Sequence, residues 1–589
     1  MKTCILLMTL AALPLTAQTL QELADNMTVN APVGKSKQMT LPTIPGAEVK
    51  LLGADYQSLM TPEGKVSTLS TDIPVHVSFS VTRGQESVTS KDYIVTLPGQ
   101  KEGSGNPKPA VVPELLSWKG GKGNFSLPNP IIVSDKLPKF VCRERADATG
   151  KKVERADNTD SRCHITCGVL KNGSAYGKEG YSLQINQKGI IISAEGEVGR
   201  FYATRTLLQL LAQDKSKLPC GTAADIPRFR LRGFTFDVGR LPIPLPFIKN
   251  VVDTMAWYKM NDLHLHLNDN YIFHEDYVKQ GKDPFKESYA AFRLESEVKG
   301  LTAKDTSYTK KEFEDLVSYA AKRGVNIVPE FDTPGHALSF TRVRPDLIYQ
   351  GPMPHHPDRR CEMLDAANPE TLNFVGKVFD EYLLPKNKAV FKDCKAVHVG
   401  SDEFFGDKED YRRYLDGLLE HIQKRGYTPR TWGSLHAKPG KTPVRAKGVQ
   451  MNIWSRDWGL AWESIRQGYD IINTFDRDLY CVPTANYYRM DNNLQNLWKN
   501  WLPNRMTGET IPAGHPQLLG ASWAMWNDMI GPKHNGYTSE DLRDTISDVC
   551  GVLSQKMWGK EEVPHSYEEH CNLVKKLGDT PLQKHRKKK

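Results

Sequence analysis

From Phe229 onward, the chain alternates short apolar runs with loops and helical segments, and this repeat constrains the fold more than any other feature. One helix is clear in detail, because Thr309 and Glu312 form a capping box that begins an apolar-periodic segment. The candidate strands are 231–236, 262–267, 325–330, 396–400, 428–432, 448–454, 469–474 and 518–523. Strands that alternate with helices in this way predict an α/β fold, a (β/α)8 TIM barrel rather than a doubly wound sheet.

The rest of the 589-residue chain divides into smaller units. Alternating β-branched residues at 75–81 predict a small β-sandwich-like domain, and strands followed by a helix at 199–212 predict an α+β accessory domain. A stretch rich in Gly, Pro, Lys and Ser separates the two as a linker. The predicted boundaries are 1–17 signal peptide, 18–45 mobile leader, 46–100 β-sandwich-like domain, 101–110 linker, 111–227 α+β accessory domain, 228–560 barrel, and 561–589 C-terminal helix and basic tail.

Residues 1–17 have the composition of a secretory signal peptide. Lys2 precedes the apolar run 4–13, and a small residue, Ala17, offers a cleavage point. The run is too short to span a bilayer, so we expect no integral membrane segment. The sequence therefore predicts export, to the periplasm, the cell surface or the medium.

The net charge of +9 does not indicate nucleic-acid binding. Basic residues are spread along the chain except in the tail 584–589, and no aromatic-basic motif marks a single-strand groove. Cys163, His164 and Cys167 superficially suggest metal ligands, but a second pair is missing, so we expect no metal site and no cofactor. The oligomeric state stays open.

Two acidic residues, Asp402 and Glu403, follow the apolar run 396–399 and Gly400. In a (β/α)8 barrel the C-terminal ends of the strands form the active-site face. Neighbours on a regular strand point to opposite sides, so both carboxylates can reach one substrate only if the strand loses its regularity after Gly400.

The other strands end in polar and aromatic residues as well. Carboxylates, an arginine, a histidine and aromatic rings on one face are what a sugar ring needs, because indoles cover its C–H faces and charged groups bind its hydroxyls. These strand-end residues are Asp237, Arg240, Asp269, Glu330, Asp332, His336, Trp432, Trp454, Asp476, Tyr480, Trp526 and Asp528.

These residues lie in motifs that resemble those of the glycoside hydrolase family 20 β-N-acetylhexosaminidases. The motifs, in the family's order, are RGFTFDVGR (232–240), MAWYKMNDLHLHLNDN (255–270), VNIVPEFDTPGHA (325–337), HVGSDEF (398–404) and WAMWND (523–528). The region 111–225 resembles the family's accessory domain. The resemblance implies a glycosidase that releases terminal β-linked N-acetylhexosamine from glycans.

The resemblance also implies a role for each matching residue. Glu403 matches the general acid/base, and Asp402 matches the residue that orients the 2-acetamido group. Asp269 and His336 match a hydrogen-bond relay to the acid, and Arg240 matches the residue that holds the O3 and O4 hydroxyls. The remaining matches, Tyr480, Trp432, Trp454, Trp526 and Asp528, surround the sugar and its acetyl group.

The implied mechanism is substrate-assisted, an exception to the scheme with two catalytic carboxylates. The acetamide oxygen attacks C1 to form an oxazolinium intermediate, and no metal or cofactor takes part. Asp402 stays ionised, whereas Glu403 begins protonated. We expect burial and the adjacent carboxylate to raise the pKa of Glu403.

Several positions depart from the family pattern. Asn270 stands where a second Asp is usual, Ser401 replaces a Gly, Val482 replaces an Asp that binds an outer hydroxyl, and Asp528 replaces a Glu. These changes resemble a subset that includes lacto-N-biosidases, which release a disaccharide. A third reading is a catalytically silent glycan-binding protein. The choice between GlcNAc and GalNAc stays open.

Overall fold

A computed structural model describes residues 18–32, 37–67, 69, 71–99, 105–170, 175–530 and 537–577. The predicted signal peptide, the linker residues 101–104 and the basic end of the tail from 578 lie outside the described residues. None of the helices within these ranges combines the length and the apolar character that crossing a membrane requires.

The sandwich-like domain predicted at 46–100 takes the form of a single four-stranded antiparallel sheet within the part of it that the structure describes. Its elements are α1 (Leu20–Asp25), β1 (Glu48–Ala54), β2 (Ile73–Arg83), β3 (Glu86–Thr89) and β4 (Tyr93–Leu97). Strand β2 pairs with the other three strands. Leu20 and Ala24 of α1 pack against Val81, so the segment predicted as a mobile leader carries a docked helix.

The accessory domain is a seven-stranded mixed sheet with two helices packed on it, as the α+β prediction requires. Its elements are β5 (Ser117–Ser126), β6 (Ile131–Ser134), α2 (Lys139–Thr149), β7 (Val153–Ala156), β8 (Ile165–Gly168), β9 (Tyr181–Asn186), β10 (Gly189–Ser193), α3 (Glu197–Gln213) and β11 (Lys217–Asp225). Buried side chains of α3, such as Leu207 and Leu211, belong to the same apolar core as the barrel.

The barrel closes because its first and last strands pair in parallel, with Phe234 opposite Trp523. Its strands are β12 (Leu231–Asp237), β13 (Asp262–His266), β16 (Asn326–Glu330), β17 (Ala396–His398), β18 (Thr428–Trp432), β19 (Gln450–Ile453), β20 (Asp470–Asn473) and β24 (Leu518–Met525). Shorter strands in the loops are β14 (Asn268–Asn270), β15 (Ala290–Phe292), β21 (Tyr480–Cys481), β22 (Arg505–Met506) and β23 (Glu509–Thr510). The predicted (β/α)8 barrel is confirmed.

Helices lie between the barrel strands and after the last one. They are α4 (Leu245–Trp257), α5 (Glu275–Lys279), α6 (Pro284–Glu287), α7 (Lys310–Ala321), α8 (Leu338–Val343), α9 (Pro369–Leu383), α10 (Lys408–Lys424), α11 (Ala461–Gln467), α12 (Asp476–Leu479), α13 (Leu494–Asn500), α14 (Arg543–Trp558) and α15 (Tyr567–Lys576). The predicted capping box is present, since the Thr309 side chain accepts from the backbone N–H of Glu312.

Arg228 joins three parts of the chain. Its Nε lies 2.7 Å from Asp55 of the N-terminal sheet, and its Nη2 lies 2.9 Å from Glu561 near the C-terminus. The guanidinium is buried, and buried charges persist where they are paired. Asp55, beside the N-terminal sheet, therefore neutralises part of the buried charge of Arg228, which precedes the first barrel strand.

A second buried ion pair, Arg430 with Asp262, links β18 to β13, and it gives a stability prediction. Arg430 Nη1 lies 2.7 Å from Asp262 Oδ1, and Nη2 lies 3.1 Å from Oδ2. Replacing Asp262 with Ala leaves a buried guanidinium unpaired, and we expect the free energy of unfolding in urea to fall by about 3–5 kcal/mol. The exposed pair Lys311–Asp315 is the control, and Asp315→Ala should leave the midpoint unchanged. An unchanged midpoint for Asp262→Ala would contradict this account.

Candidate active site

A pocket of about 120 Å³ lies at the C-terminal ends of the barrel strands. A larger cavity of about 750 Å³, between α13 and α15, contains none of the strand-end residues that the sequence indicates. The chemistry therefore points to the smaller pocket. Its lining consists of Arg240, His266, Asp269, Ile272, Asp332, His336, Asp402, Glu403, Trp454, Tyr480, Tyr488, Trp526 and Asp528.

The backbone around Asp402 and Glu403 is irregular, as their joint access to one substrate requires. Strand β17 ends at His398, and φ is +68° at Gly400, +81° at Ser401 and +42° at Glu403. A Cβ at Gly400 would lie 1.9 Å from a carboxylate oxygen of Asp332, so only glycine fits there. The left-handed residues turn both carboxyl groups toward the pocket, at a local strain of about 1 kcal/mol each for the non-glycine residues.

Hydrogen bonds hold Ser401 in this strained turn, where the family has glycine. Its backbone N–H donates to Asp332 Oδ1 at 2.8 Å, and its hydroxyl donates to the carbonyl of Thr333 at 2.8 Å. Its carbonyl accepts from the Tyr411 hydroxyl at 2.6 Å. The two backbone contacts would also be open to a glycine, whereas the hydroxyl bond to Thr333 is specific to the serine and offsets part of its conformational cost.

Glu403 is held by one of its two oxygens. Arg359 Nη1 lies 2.9 Å from Oε2, and His336 Nε2 lies 3.4 Å from the same atom. Oε1 has no hydrogen-bond partner within the described part of the chain, and the side chain is 30% exposed toward the pocket. One oxygen is therefore anchored and the other is free to face a reacting group.

The pKa of Glu403 does not follow the expectation from its sequence neighbours. Burial raises this pKa, but Arg359 and His336 outweigh burial and hold it well below its usual range. The predicted upward shift is wrong for this arrangement. The cause is Arg359, a cation from a distant loop.

A relay runs from Glu403 to the barrel interior. His336 Nδ1 lies 3.0 Å from Asp269 Oδ1, and Asp269 Oδ2 lies 2.7 Å from His266 Nε2. His266 Nδ1 in turn contacts Glu330. Burial lowers the pKa of His336. Asp269 and Glu403 raise this pKa by more than burial lowers it. The pKa therefore lies well above its usual value, which favours the imidazolium form of the ring.

Asp402 lies beside a second acid, Asp332. Asp402 Oδ1 is buried with no hydrogen-bond partner in the described structure. Burial raises the pKa of Asp402, whereas His336 and a hydrogen bond from Asp332 lower it. Burial and the neighbouring charge of Asp402 raise the pKa of Asp332 well above its usual range. Burial thus raises the pKa of both acids above its usual value, and their proximity favours a single negative charge on the pair.

Aromatic rings form one wall of the pocket. Trp454 and Tyr480 lie parallel, with centroids 6.4 Å apart, and Tyr480 lies 5.7 Å from Trp526. The short strand β21 carries Tyr480 and pairs with β24 opposite Ala524, which fixes the ring near Trp526. Trp432 is not part of the pocket surface. It is 1% exposed, lies 5.7 Å behind Trp526, and donates its indole N–H to Glu330 at 2.7 Å.

Arg240 lies among three carboxylates, with its guanidinium carbon 5.9 Å from the ring centroid of Trp526. Its guanidinium nitrogens lie 2.6 Å from Asp269, 3.0 Å from Asp237 and 3.4 Å from Asp528. The hydroxyl of Tyr487 donates to Asp528 Oδ2 at 3.1 Å. This group offers both donors and acceptors to sugar hydroxyls.

Several residues in or near the pocket were absent from the sequence-based set, among them His266 and Ile272 of its lining. Tyr487 and Tyr488 follow strand seven, and an adjacent tyrosine pair there is a signal that sequence reasoning could have used. Arg359 and Glu362 lie in the 3₁₀ segment Pro357–Glu362, an irregular loop with no motif to mark it.

Three groups of histidine and acidic residues lie close enough to hold a metal ion: His264 with Glu330 and His398, His266 with Glu330 and Asp332, and Asp332 with His336 and Asp402. In the first two, Trp432, His266, His264 and His398 surround the carboxylate oxygens of Glu330. His398 Nδ1 also accepts from the Gly400 N–H at 2.9 Å. The first two groups thus form a network of contacts around the Glu330 carboxylate.

Two family descriptions match the chain. Residues 229–412 match "Glycosyl hydrolase family 20, catalytic domain", and residues 108–226 match "Glycosyl hydrolase family 20, domain 2". The second match covers the accessory sheet, and the first begins at the barrel and includes Asp402 and Glu403.

Curated relatives are similar over part of their length. The lacto-N-biosidase of Bifidobacterium bifidum is 26% identical over 505 residues, which is 80% of this chain and 42% of that protein. The beta-hexosaminidase of Akkermansia muciniphila is 31% identical over 317 residues, 49% of this chain and 61% of that protein. The chain thus spans about half the length of the curated relatives it matches.

Solved structures share the fold. A β-hexosaminidase of Streptomyces plicatus superposes with a TM-score of 0.63 at 20% identity, covering 81% of this chain and 95% of that one. An exo β-N-acetylglucosaminidase of Vibrio harveyi gives 0.62 at 18% identity, covering 87% and 84%. At these identities the likeness concerns architecture alone.

Proposed function

Because the chain belongs to glycosyl hydrolase family 20, we propose that it is an exo-acting, retaining β-N-acetylhexosaminidase. It would release terminal β-linked GlcNAc or GalNAc from glycans. The observation that carries the proposal is that the two carboxylates at the turn differ in their hydrogen-bond contacts. Asp402 has a buried, unpartnered oxygen, and Glu403 has one anchored and one free oxygen.

In the first step, the carbonyl oxygen of the substrate's acetamide attacks C1, and the bond from C1 to the leaving oxygen breaks. Asp402 accepts the amide N–H and stabilises the positive charge of the oxazolinium ion. Glu403 is a carboxylate in the free site, so it first takes up a proton and then gives that proton to the leaving oxygen. His336, an imidazolium 3.4 Å away, is placed to return a proton to Glu403.

In the second step, water attacks C1 and opens the oxazolinium ring, and Glu403 accepts the proton of that water. The cations beside Glu403 favour its carboxylate form, which this step needs. Tyr480 and Trp454 confine the acetamide near attack distance, which supplies the proximity effect. Two inversions at C1 give overall retention.

The sugar's hydroxyls would bind at Arg240 and Asp528. Their partners Asp237 and Asp269 keep the guanidinium fixed. We also propose that the protein is exported, because residues 1–17 have the composition of a signal peptide.

A second candidate is release of a disaccharide, as the name of the Bifidobacterium bifidum relative suggests. The position of the missing hydroxyl-binding Asp is occupied by Val482, which is fully buried and offers no polar contact. Tyr487 and Tyr488, 37% and 38% exposed, lie at the rim beside Asp528 and could cover a further sugar.

The two candidates predict different products. We expect kcat/KM for a p-nitrophenyl β-N-acetylglucosaminide or -galactosaminide to exceed that for the lacto-N-biose conjugate, with NMR showing the β-anomer first. A β-glucoside without the N-acyl group should react at least about 10³-fold more slowly, since it lacks the nucleophile. Faster release from the disaccharide conjugate would establish the second candidate. Binding of N-acetylhexosamine glycans without turnover of any would favour a glycan-binding protein.

A further inference from the structure

Arg359 is the charged group closest to Glu403, yet it does not line the pocket. Resting on the proposed function, we propose that Arg359 is a positioning residue, which fixes Oε2 of Glu403 so that Oε1 faces the leaving oxygen. The contact from Nη1 to Oε2 is 2.9 Å, and His336 approaches the same oxygen. Because Arg359 donates to Oε2 and His336 lies on the same side, Oε1 is left as the proton-transfer atom.

Arg359 is itself firmly held. Its Nε donates to Glu362 Oε1, and its guanidinium lies 5.1 Å from the ring centroid of Phe405. The side chain is only 11% exposed. A guanidinium fixed at two sides and packed against a ring has little rotamer freedom, so it can define the orientation of its partner.

Glu362 connects Arg359 back to the relay. Its Oε2 accepts from the side-chain amide of Asn270, and the backbone N–H of Asn270 donates to Asp269 Oδ1 at 2.7 Å. The contacts therefore close a ring, from Glu403 through His336, Asp269, Asn270, Glu362 and Arg359 back to Glu403.

This ring explains one departure from the family pattern. Where the family commonly has an Asp, an amide at Asn270 donates to the fully buried carboxylate of Glu362. A carboxylate at that position would repel Glu362, and two buried like charges are costly. The contacts therefore link Asn270, Glu362 and Arg359, and together they fix the orientation of the Glu403 side chain.

The test varies the leaving group and compares kcat/KM, which covers the steps up to departure of that group, because in those steps Glu403 acts only as an acid. For Arg359→Met we expect kcat/KM on chitobiose to fall by about 10–100-fold. On a 2,4-dinitrophenyl N-acetylglucosaminide, whose leaving group departs without a proton, the fall should stay within about threefold. Arg359→Lys, which keeps the charge, should recover part of the loss.

The pH profile gives an independent readout. The charged and titratable groups that face Glu403 are Arg359, His336, Asp402 and Tyr488. Arg359 lowers the pKa of Glu403, so its removal raises that pKa. The optimum of a bell-shaped profile lies at the mean of the two pKa values that set its limbs. It should therefore move to higher pH in Arg359→Met and stay nearer the wild-type optimum in Arg359→Lys.

Two further variants test the ring. Asn270→Asp should reduce kcat on chitobiose, and adding Glu362→Gln should restore part of it, because the donor and the acceptor are then exchanged. The control is Arg360→Met, since Arg360 donates to backbone carbonyls of Tyr349 and Gly351 and contacts no pocket residue. It should show no dependence on the leaving group.

Equal losses on both substrates in Arg359→Met, with an unshifted pH optimum, would overturn the positioning role. The melting temperature of each variant identifies a folding defect. If Arg359→Met misfolds, the leaving-group dependence and the pH optimum of Arg359→Lys test the positioning role in its place. If the unaltered protein hydrolyses neither N-acetylglucosaminide, the proposed function fails, and this inference fails with it.

Discussion

Replacing Glu403 with Gln is expected to lower kcat on chitobiose by about 10³-fold, within the 10²–10⁴ range of a general acid or base. The amide keeps the shape of the side chain but can neither give a proton to the leaving oxygen nor take one from water. KM should change little, because sugar recognition lies at Arg240, Asp528 and the aromatic wall. Steady-state kinetics with released GlcNAc as the readout measures both quantities.

Glu420→Gln is the matched control, since Glu420 lies on α10 and pairs with the exposed Lys424. That variant should retain wild-type kcat. A Glu403→Gln protein that kept more than a tenth of wild-type kcat on chitobiose would assign the acid to another residue.

Replacing Asp402 with Asn is expected to lower kcat by about 10²–10³-fold, the size of losing one electrostatic contact to the transition state. The neutral amide cannot stabilise the oxazolinium charge. The loss should appear on the 2,4-dinitrophenyl glycoside as well as on chitobiose, because attack by the acetamide accompanies departure of either group. This behaviour separates Asp402 from Glu403 and Arg359.

A thiazoline that mimics the oxazolinium ion provides the binding measurement. Its inhibition constant should rise in Asp402→Asn, whereas Asp410→Asn, at the start of α10, should leave it unchanged. If thiazoline affinity stayed at the wild-type value in Asp402→Asn, the charge-stabilising role would be wrong.

The barrel and the members of its pocket could be inferred from the sequence because both depend on local signals. Each strand is a short apolar run, and barrel topology places the residues after each run on one face. The turn at Gly400 also follows from local chemistry, since adjacent carboxylates cannot share a substrate on a regular strand. These arguments need no knowledge of distant contacts.

The electrostatics could not be inferred in the same way. The low pKa of Glu403 depends on Arg359, which approaches from an irregular loop that no periodicity describes. The position of Trp432 one layer behind Trp526 depends on its bond to Glu330, a contact between two strands. Such features come from tertiary packing, and residue order alone does not encode their distances.

The contacts of Arg228 have a consequence for anyone who shortens this chain to its barrel. Deleting the N-terminal sheet removes Asp55, and the guanidinium would then keep only Glu561. Such a truncation removes a counter-ion from a buried guanidinium. If the shortened protein failed to fold, the cause would be this unpaired charge and not a defect in the active site at the other end of the barrel. A shortened version is better begun with Arg228 exchanged for an uncharged side chain of similar length.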